Sequence, residues 1–391
     1  MNQHYTLALN MIVGAGDGDV LDRCLSAFDC KNLFDEIVIV TTTNDKKVKD
    51  VADKWATKVL SKTWTNEEYP FGDFAGARNL ALDNTVSDYV MWLDADDIMT
   101  GANINTKLKN LREYIDELGF EVFFVNYCLE RDDNGNETWA IVRERIWKRA
   151  TGVQWLYPVH EQLPFDWATH RKTRITGITN IHQPLKLSQT GINRNLKILE
   201  HEYTKPDKRE NHIAYYYARD LMLSAPQQEG LPILVDLVKN FDGNEQNIFE
   251  SCMALTKYYL YDKMDSDGFH SINKRHLDIA EGYCRIAMSI SEDCAETVVY
   301  MGDINLARNK KENAILQYKK AMGKEYGNGA VQQVAYYEAI PAARLSALFI
   351  EQEEWEQALW YNKLAKDFFR NNEALKKDRN LIVSRLAKEN V

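Results

Sequence analysis

The sequence predicts an α/β fold, a mostly parallel sheet flanked by helices, followed by an all-α domain of helical repeats. Three observations carry this. Up to about residue 185, short apolar runs alternate with amphipathic stretches, as in successive βα units. From about residue 193 the helical period runs almost without interruption, with alanines returning at a fixed spacing. Between them in interest, if not in order, stands DYVMWLDADD at 88–97, an apolar strand that ends abruptly in Asp94, Asp96 and Asp97.

The elements follow in order. Residues 5–13 read as a strand, 20–28 as a helix, 36–42 as a strand and 46–57 as a helix. Residues 59–60 form a short strand, 73–83 a helix opened by an aspartate cap, and 89–93 the next strand. Residues 121–130 and 139–148 flank DDNGN, where Asn134 and Gly135 suit a tight turn with positive φ, so the pair reads as a β-hairpin.

In the helical part, LDIAEGYCRIA and ENAILQYKKAM align at a spacing of 34, Ala280 with Ala314 and Ala287 with Ala321. A third copy, WEQALWYNKLA, sets Ala358 and Ala365 a further 44 residues on and requires an insertion near GKEYGNG. Small residues at these places let paired helices approach closely, and 34 is the tetratricopeptide period. The predicted domains are therefore 1–190, an α/β domain, and 191–391, a tetratricopeptide-like helical domain.

Composition sets the surroundings. The 391 residues are 45% hydrophobic, enough for two cores, and the formal net charge of −10 does not advertise a polyanion partner. Six cysteines at irregular spacing, with no CxxC, point away from a zinc site or disulfide framework and towards a reduced, cytoplasmic setting. No apolar run approaches the roughly 20 residues that cross a bilayer, so a soluble protein without a transmembrane segment is expected.

The acids after 89–93 then acquire a meaning. In a parallel α/β sheet, ligands bind outside the carboxyl ends of the strands, because the connecting loops diverge there. Three clustered acids in such a crevice repel one another and need a cation to offset the cost. Hard oxygen ligands suit magnesium or manganese, which keep waters and bridge phosphate oxygens. The arrangement predicts a metal-bound diphosphate.

At this point LALNMIV, LDRCL, DEIVIV, DFAGARNLAL and DYVMWLDADD, in that order, resemble the family 2 glycosyltransferases of the GT-A fold over roughly residues 5–100. RERIWK, YPVHEQL, ITNIHQP and RNLKILE extend the resemblance, which looks like the branch whose compact catalytic domain carries a tetratricopeptide-like tail. The resemblance implies transfer of a sugar from a nucleotide diphosphate sugar, UDP-sugar above all, with Mn²⁺ or Mg²⁺, to a hydroxyl-type acceptor with inversion. It places Asp94 and Asp96 in the DxD metal motif with His182 near the metal, Asp97 capping the next element, and Asp73, Arg78 and Asn79 near the nucleotide. It makes Glu161 the general base, with His160 as the alternative base or an acceptor-orienting residue. Structural readings stand beside these: Asp73 an N-cap paired with a surface Arg78, and His160 and Glu161 satisfying loop backbone.

Two departures from the family pattern bear on the nucleotide. The first loop reads GAGDGDV, so Asp17 or Asp19 is expected at the base or ribose. Where the family ends its second strand in aspartate, this chain has Thr41; either Asp45 substitutes or base recognition differs. The acceptor stays open among a protein or peptide side chain, an envelope saccharide and a hydroxymethylated base of phage-type DNA. Seven basic residues between 143 and 174, against three acids, either steer an anionic acceptor, form a solvated face or hold the donor diphosphate. The repeats tilt the choice towards a protein partner or self-association. The rival reading is a non-catalytic nucleotide-binding platform carrying the repeats, against which the intact DADD speaks.

Overall fold

The computed structural model describes residues 5–115, 119–132, 135–183, 189–205, 210–224, 227–240, 245–264, 270–325 and 331–389. The chain divides into two compact units. The first comprises residues 1–135 and 141–209, the second Asn136–Ala140 and Glu210–Val391.

The first unit is built on β1 (Leu7–Val13), α1 (Gly18–Ser26), α2 (Cys30–Leu33), β2 (Glu36–Thr41), α3 (Lys46–Trp55), β3 (Lys58–Ser61), α4 (Phe74–Asp83) and β4 (Tyr89–Trp92). These are followed by β5 (Asp97–Thr100), α5 (Ile104–Tyr114), β6 (Val122–Arg131), β7 (Glu137–Lys148), β8 (Lys172–His182) and α6 (Gln189–Thr204). Strand order in the sheet is β3-β2-β1-β4-β7-β6-β8-β5. β3, β2, β1 and β4 are parallel to their neighbours, β6 and β8 also pair in parallel, and β7 and β5 run antiparallel to β4 and β8.

The parallel half follows from strand chemistry. β2 is EIVIVT, near-continuous β-branched residues, as a strand covered on both faces requires. Successive side chains alternate: Ile37 and Ile39 join the core under α1 and α3, while Val38 and Val40 pack with Ala77 and Ala81 of α4 on the opposite face. The two helices that frame the crevice start at aspartates. Asp45 Oδ1 accepts from the Lys47 N–H at 2.9 Å and Asp73 Oδ1 from the Gly76 N–H at 2.8 Å, the N-caps that orphan helix amides call for.

The structure departs from the sequence reading in several elements. β5 begins at Asp97 itself and pairs with β8 in a register that sets Asp97 opposite His182. Residues 172–182 form the eleven-residue β8, in which Gly177 holds positive φ (+71°). The hairpin strands occur as β6 and β7, neighbours in the sheet, with Gly135 at φ +81°; Asp133 and Asn134 of the expected turn lie outside the described residues. α6, expected to open the helical domain, counts with the first unit.

The second unit contains α7 (Asn211–Leu223), α8 (Gly230–Lys239), α9 (Glu245–Leu260) and a small antiparallel pair, β9 (Tyr261–Met264) with β10 (His270–Ile272). Then come α10 (Leu277–Ile290), α11 (Ala295–Ala307), α12 (Lys311–Met322), β11 (Val331–Gln333), α13 (Ala339–Glu351), α14 (Trp355–Phe368) and α15 (Glu373–Glu389). The repeated alanines fall on α10, α12 and α14, and all six are fully buried. The extra residues lie between α12 and α13, where the broken spacing required them. Close approach is literal at Gly302 of α11, where a Cβ would stand 2.5 Å from the Tyr318 ring of α12.

Candidate active site

In the order β3-β2-β1-β4, chain connection reverses direction between β1 and β4, and at such a switch point the loops leaving the strand ends diverge into a crevice. The loop after β1 carries Asp17; the loop after β4 carries Asp94, Asp96 and Asp97. Burial raises the Asp17 carboxyl above its ordinary value despite the Gly14 N–H bonded to it, and the Asp94 charge adds to the rise. The two loops share one electrostatic field.

Asp97 organises the acidic turn. Fully buried, its Oδ2 accepts from the Asp94 N–H (3.1 Å) and the Asn180 side chain (2.8 Å) and lies 3.2 Å from Arg145 Nη1. Its other oxygen faces His182 Nδ1 at 3.8 Å, and neither atom has a hydrogen-bond partner. His182 Nδ1 is also 3.6 Å from Asp96 Oδ1. Burial, reinforced by the Asp94 and Asp97 charges, pushes the Asp96 carboxyl up to about 6 against the pull of His182. Burial disfavours a charged His182, yet the surrounding aspartates outweigh it and raise its pKa. Asp96, Asp97 and His182 offer ligand atoms all within 4.8 Å of one another.

Asp94 is turned towards a different neighbour. Its Oδ1 accepts from Arg78 Nη2 at 2.7 Å, while Arg78 Nε donates to Glu161 Oε1 at 2.8 Å. Burial acts to raise the Asp94 carboxyl; Arg78 and Arg145 prevail and hold it below the ordinary value. The Arg78 guanidinium lies over Trp92 (4.6 Å to the ring centroid) and Trp155 (5.0 Å). Arg78 is thus no surface residue, and its partners are Asp94 and Glu161 where the structural reading supplied Asp73.

Glu161 sits on a loop closed by the backbone pairing of Leu156 with Gln162, in which Tyr157 (φ +70°) and His160 (φ +54°) hold left-handed backbone. Such conformations cost energy in non-glycine residues and persist only when neighbours enforce them. Here α4 does so. The Phe74 N–H donates to the Pro158 carbonyl (2.9 Å), and the Asn79 side chain bonds both backbone groups of Trp155 (2.8 and 2.9 Å).

The remaining predicted residues lie as follows. Asp73 is the α4 cap, with Lys62 Nζ 3.4 Å away. Asp45 caps α3 and also accepts from the Gly16 N–H (3.2 Å), tying the first loop down. Asp19 pairs with Lys47 at 2.6 Å on the surface. Thr41 is buried, its hydroxyl 3.0 Å from Ser61 Oγ on β3. The basic run does not form one face: Arg145 is fully buried, Arg149 donates to the Ser87 and Val86 carbonyls, and Lys172 lies over Trp167.

Sequence reasoning missed Arg194. From α6 it lies over the Phe74 ring (4.7 Å), and its charge is felt by Asp17 and influenced by Glu161. Burial lowers its pKa. The segment RNLKILE was legible; that its arginine returns to the crevice was not.

Residues 17–174 match the family described as Glycosyl transferase family 2, so the chain carries a domain of that family. A TPR repeat-containing protein of Synechococcus elongatus is 24% identical over 155 residues, 40% of this chain and 34% of its own, so the chain spans about a third of that relative's length. Among solved structures, residues 1–349 of S. aureus TarS show 14% identity with a TM-score of 0.33, covering 84% of this chain and 96% of that one. The same protein in complex with UDP-GlcNAc gives the same figures, again 14% and 0.33 with 84% and 96% coverage. A thermophilic TPR protein of Thermus thermophilus shows 18% identity and a TM-score of 0.30, covering 50% of this chain and 91% of that one. No described helix is long and apolar enough to cross a membrane.

Proposed function

We propose that the chain is a glycosyltransferase that moves a sugar from a nucleotide diphosphate sugar, UDP-sugar in the first instance, to a hydroxyl of a macromolecular or saccharide acceptor, with inversion, in the cytoplasm. The observation that carries the reading is the gathering of Asp96, Asp97 and His182, with Asp94 of the same turn joined to Glu161 through Arg78, within a family 2 domain.

A divalent cation fits this site. Asp97 Oδ1 and His182 Nδ1 are buried without hydrogen-bond partners, and Asp96 is crowded by like charges. Asp96, Asp97 and His182, whose ligand atoms lie together, would hold it, with Asp94 of the same turn engaged by Arg78 beside them, and Mn²⁺ or Mg²⁺ suits carboxylates with one imidazole. When bound, such an ion supplies positive charge to a departing diphosphate. The chain's own part lies in the other side chains. Glu161, through the oxygen that Arg78 does not engage, takes the acceptor proton as the hydroxyl attacks the anomeric carbon opposite the diphosphate. Arg194 adds positive charge on the α6 side of the crevice. Asp17 is better placed than Asp19 to meet the nucleoside, since Asp19 is bound up with Lys47. With Thr41 turned into the sheet, Asp45 beside Gly16 is the second candidate for base recognition.

The test is a panel of UDP-, GDP- and dTDP-sugars with Mn²⁺, read as release of nucleoside diphosphate. Turnover of one donor above the protein-free background is expected; no release from any donor would overturn the reading.

A further inference from the structure

One guanidinium joins the two halves of the chemistry. The acids proposed to serve the donor's diphosphate follow β4, the carboxylate proposed as base comes from the 157–161 loop, and Arg78 of α4 bonds one member of each, Asp94 at 2.7 Å and Glu161 at 2.8 Å. The guanidinium has little freedom of its own. Its side chain is 9% exposed and lies over the rings of Trp92 and Trp155. Asn79, the next residue, fixes the Trp155 backbone in both directions. The loop that presents Glu161 is thereby tied to α4 three times, through Phe74, Arg78 and Asn79.

We propose that Arg78 is a positioning residue that sets the place of the Glu161 carboxylate relative to Asp94, and so the distance between proton acceptor and leaving group, in place of contacting the nucleotide itself. This rests on the function proposed above. Arginine is required because both bonds come from one rigid plane whose nitrogens point in fixed directions; a lysine ammonium keeps the charge and loses the fork. Misplacing a reacting group by about 1 Å costs on the order of 10²-fold in rate.

The experiment measures nucleoside diphosphate release from the donor that the panel selects, with Mn²⁺ and water as acceptor, for the full chain and for Arg78→Lys, Glu161→Gln and the double variant. Arg78→Lys should lower kcat by roughly 10²-fold with the donor KM within about threefold of the parent. The double variant should be no slower than Glu161→Gln alone, because a residue that acts through Glu161 has nothing left to position. A purely structural Arg78 would instead multiply the two losses. Arg78→Ala is added with methylguanidine, which should restore part of the rate by entering the space vacated against the two indoles; if that variant does not fold, the lysine cycle still decides. Parent-like kcat in Arg78→Lys, a loss confined to KM, or multiplicative losses in the double variant would each overturn the proposal. No turnover by the parent with any donor, or unchanged turnover in Glu161→Gln, would instead overturn the functional reading on which it rests.

Discussion

Asp97 and Arg145 face each other at 3.2 Å with neither side chain exposed to water. The pair lies behind the acidic turn, and Arg145 is sandwiched by the rings of Trp92 (3.8 Å) and Tyr127 (4.3 Å). Removing one member of a buried pair leaves the other uncompensated, a loss of about 3–5 kcal/mol. Arg145→Met should therefore lower stability by about that amount in urea denaturation. Asp97→Asn in the same chain should recover part of it, since the stranded charge is then gone.

Glu161 is tested by Glu161→Gln. The amide keeps shape and an oxygen for the Arg78 N–H while losing the ability to take a proton. Turnover should fall by about 10²- to 10⁴-fold, the range for a positioned base. Donor KM should stay near that of the parent, because Glu161 is not asked to hold the diphosphate. Steady-state kinetics with the selected donor separates the two.

Glu296 predicts a pH dependence in the second unit. It is buried, accepting from the Gln333 N–H (2.7 Å) and the Cys294 thiol (3.0 Å), and burial raises its pKa above the ordinary 4.5 despite both bonds. The folded chain thus keeps this proton to higher pH than the unfolded chain does. The stabilising contribution is complete below about pH 4.5 and is lost as pH rises through the raised value. Glu296→Gln should melt above the parent at pH 7, with the difference shrinking towards pH 4.5, as read by thermal scans across that range.

The repeat packing is tested at Ala314, fully buried where paired helices meet. Ala314→Leu forces methyl groups into a filled space and should cost about 1–3 kcal/mol. Ala→Leu at an exposed position of the same helix would not. Denaturation of the full chain measures it.

These residues also mark how far the sequence could be read. The parallel strands were legible because a strand buried on both faces needs an uninterrupted apolar run, and EIVIVT is one. The repeats were legible because three pairs of alanines keep a spacing of 7 within each pair on either side of an insertion. β5 was not, since DIMT is four residues long and owes its extended form to pairing with β8. Arg145 read only as one of seven basic residues with three open roles, because a sequence does not say that Asp97 arrives opposite it. Arg78 was legible as a site residue, but its partners come 16 and 83 residues later, and only the fold brings both within hydrogen-bond distance. Arg194 was hidden by the helical pattern of α6, which reads as the start of the repeats and folds with the first unit.

The central claim is a cation-dependent nucleotide diphosphate site at the acidic turn, and titration calorimetry of UDP tests it most directly. In the parent chain UDP should bind with Mn²⁺ present and bind weakly or not at all with chelator. Asp96→Asn should reduce Mn²⁺ and UDP binding together, because the carboxylate holds the ion and the ion holds the diphosphate. UDP binding of equal strength with and without Mn²⁺, unchanged in Asp96→Asn, would contradict the account.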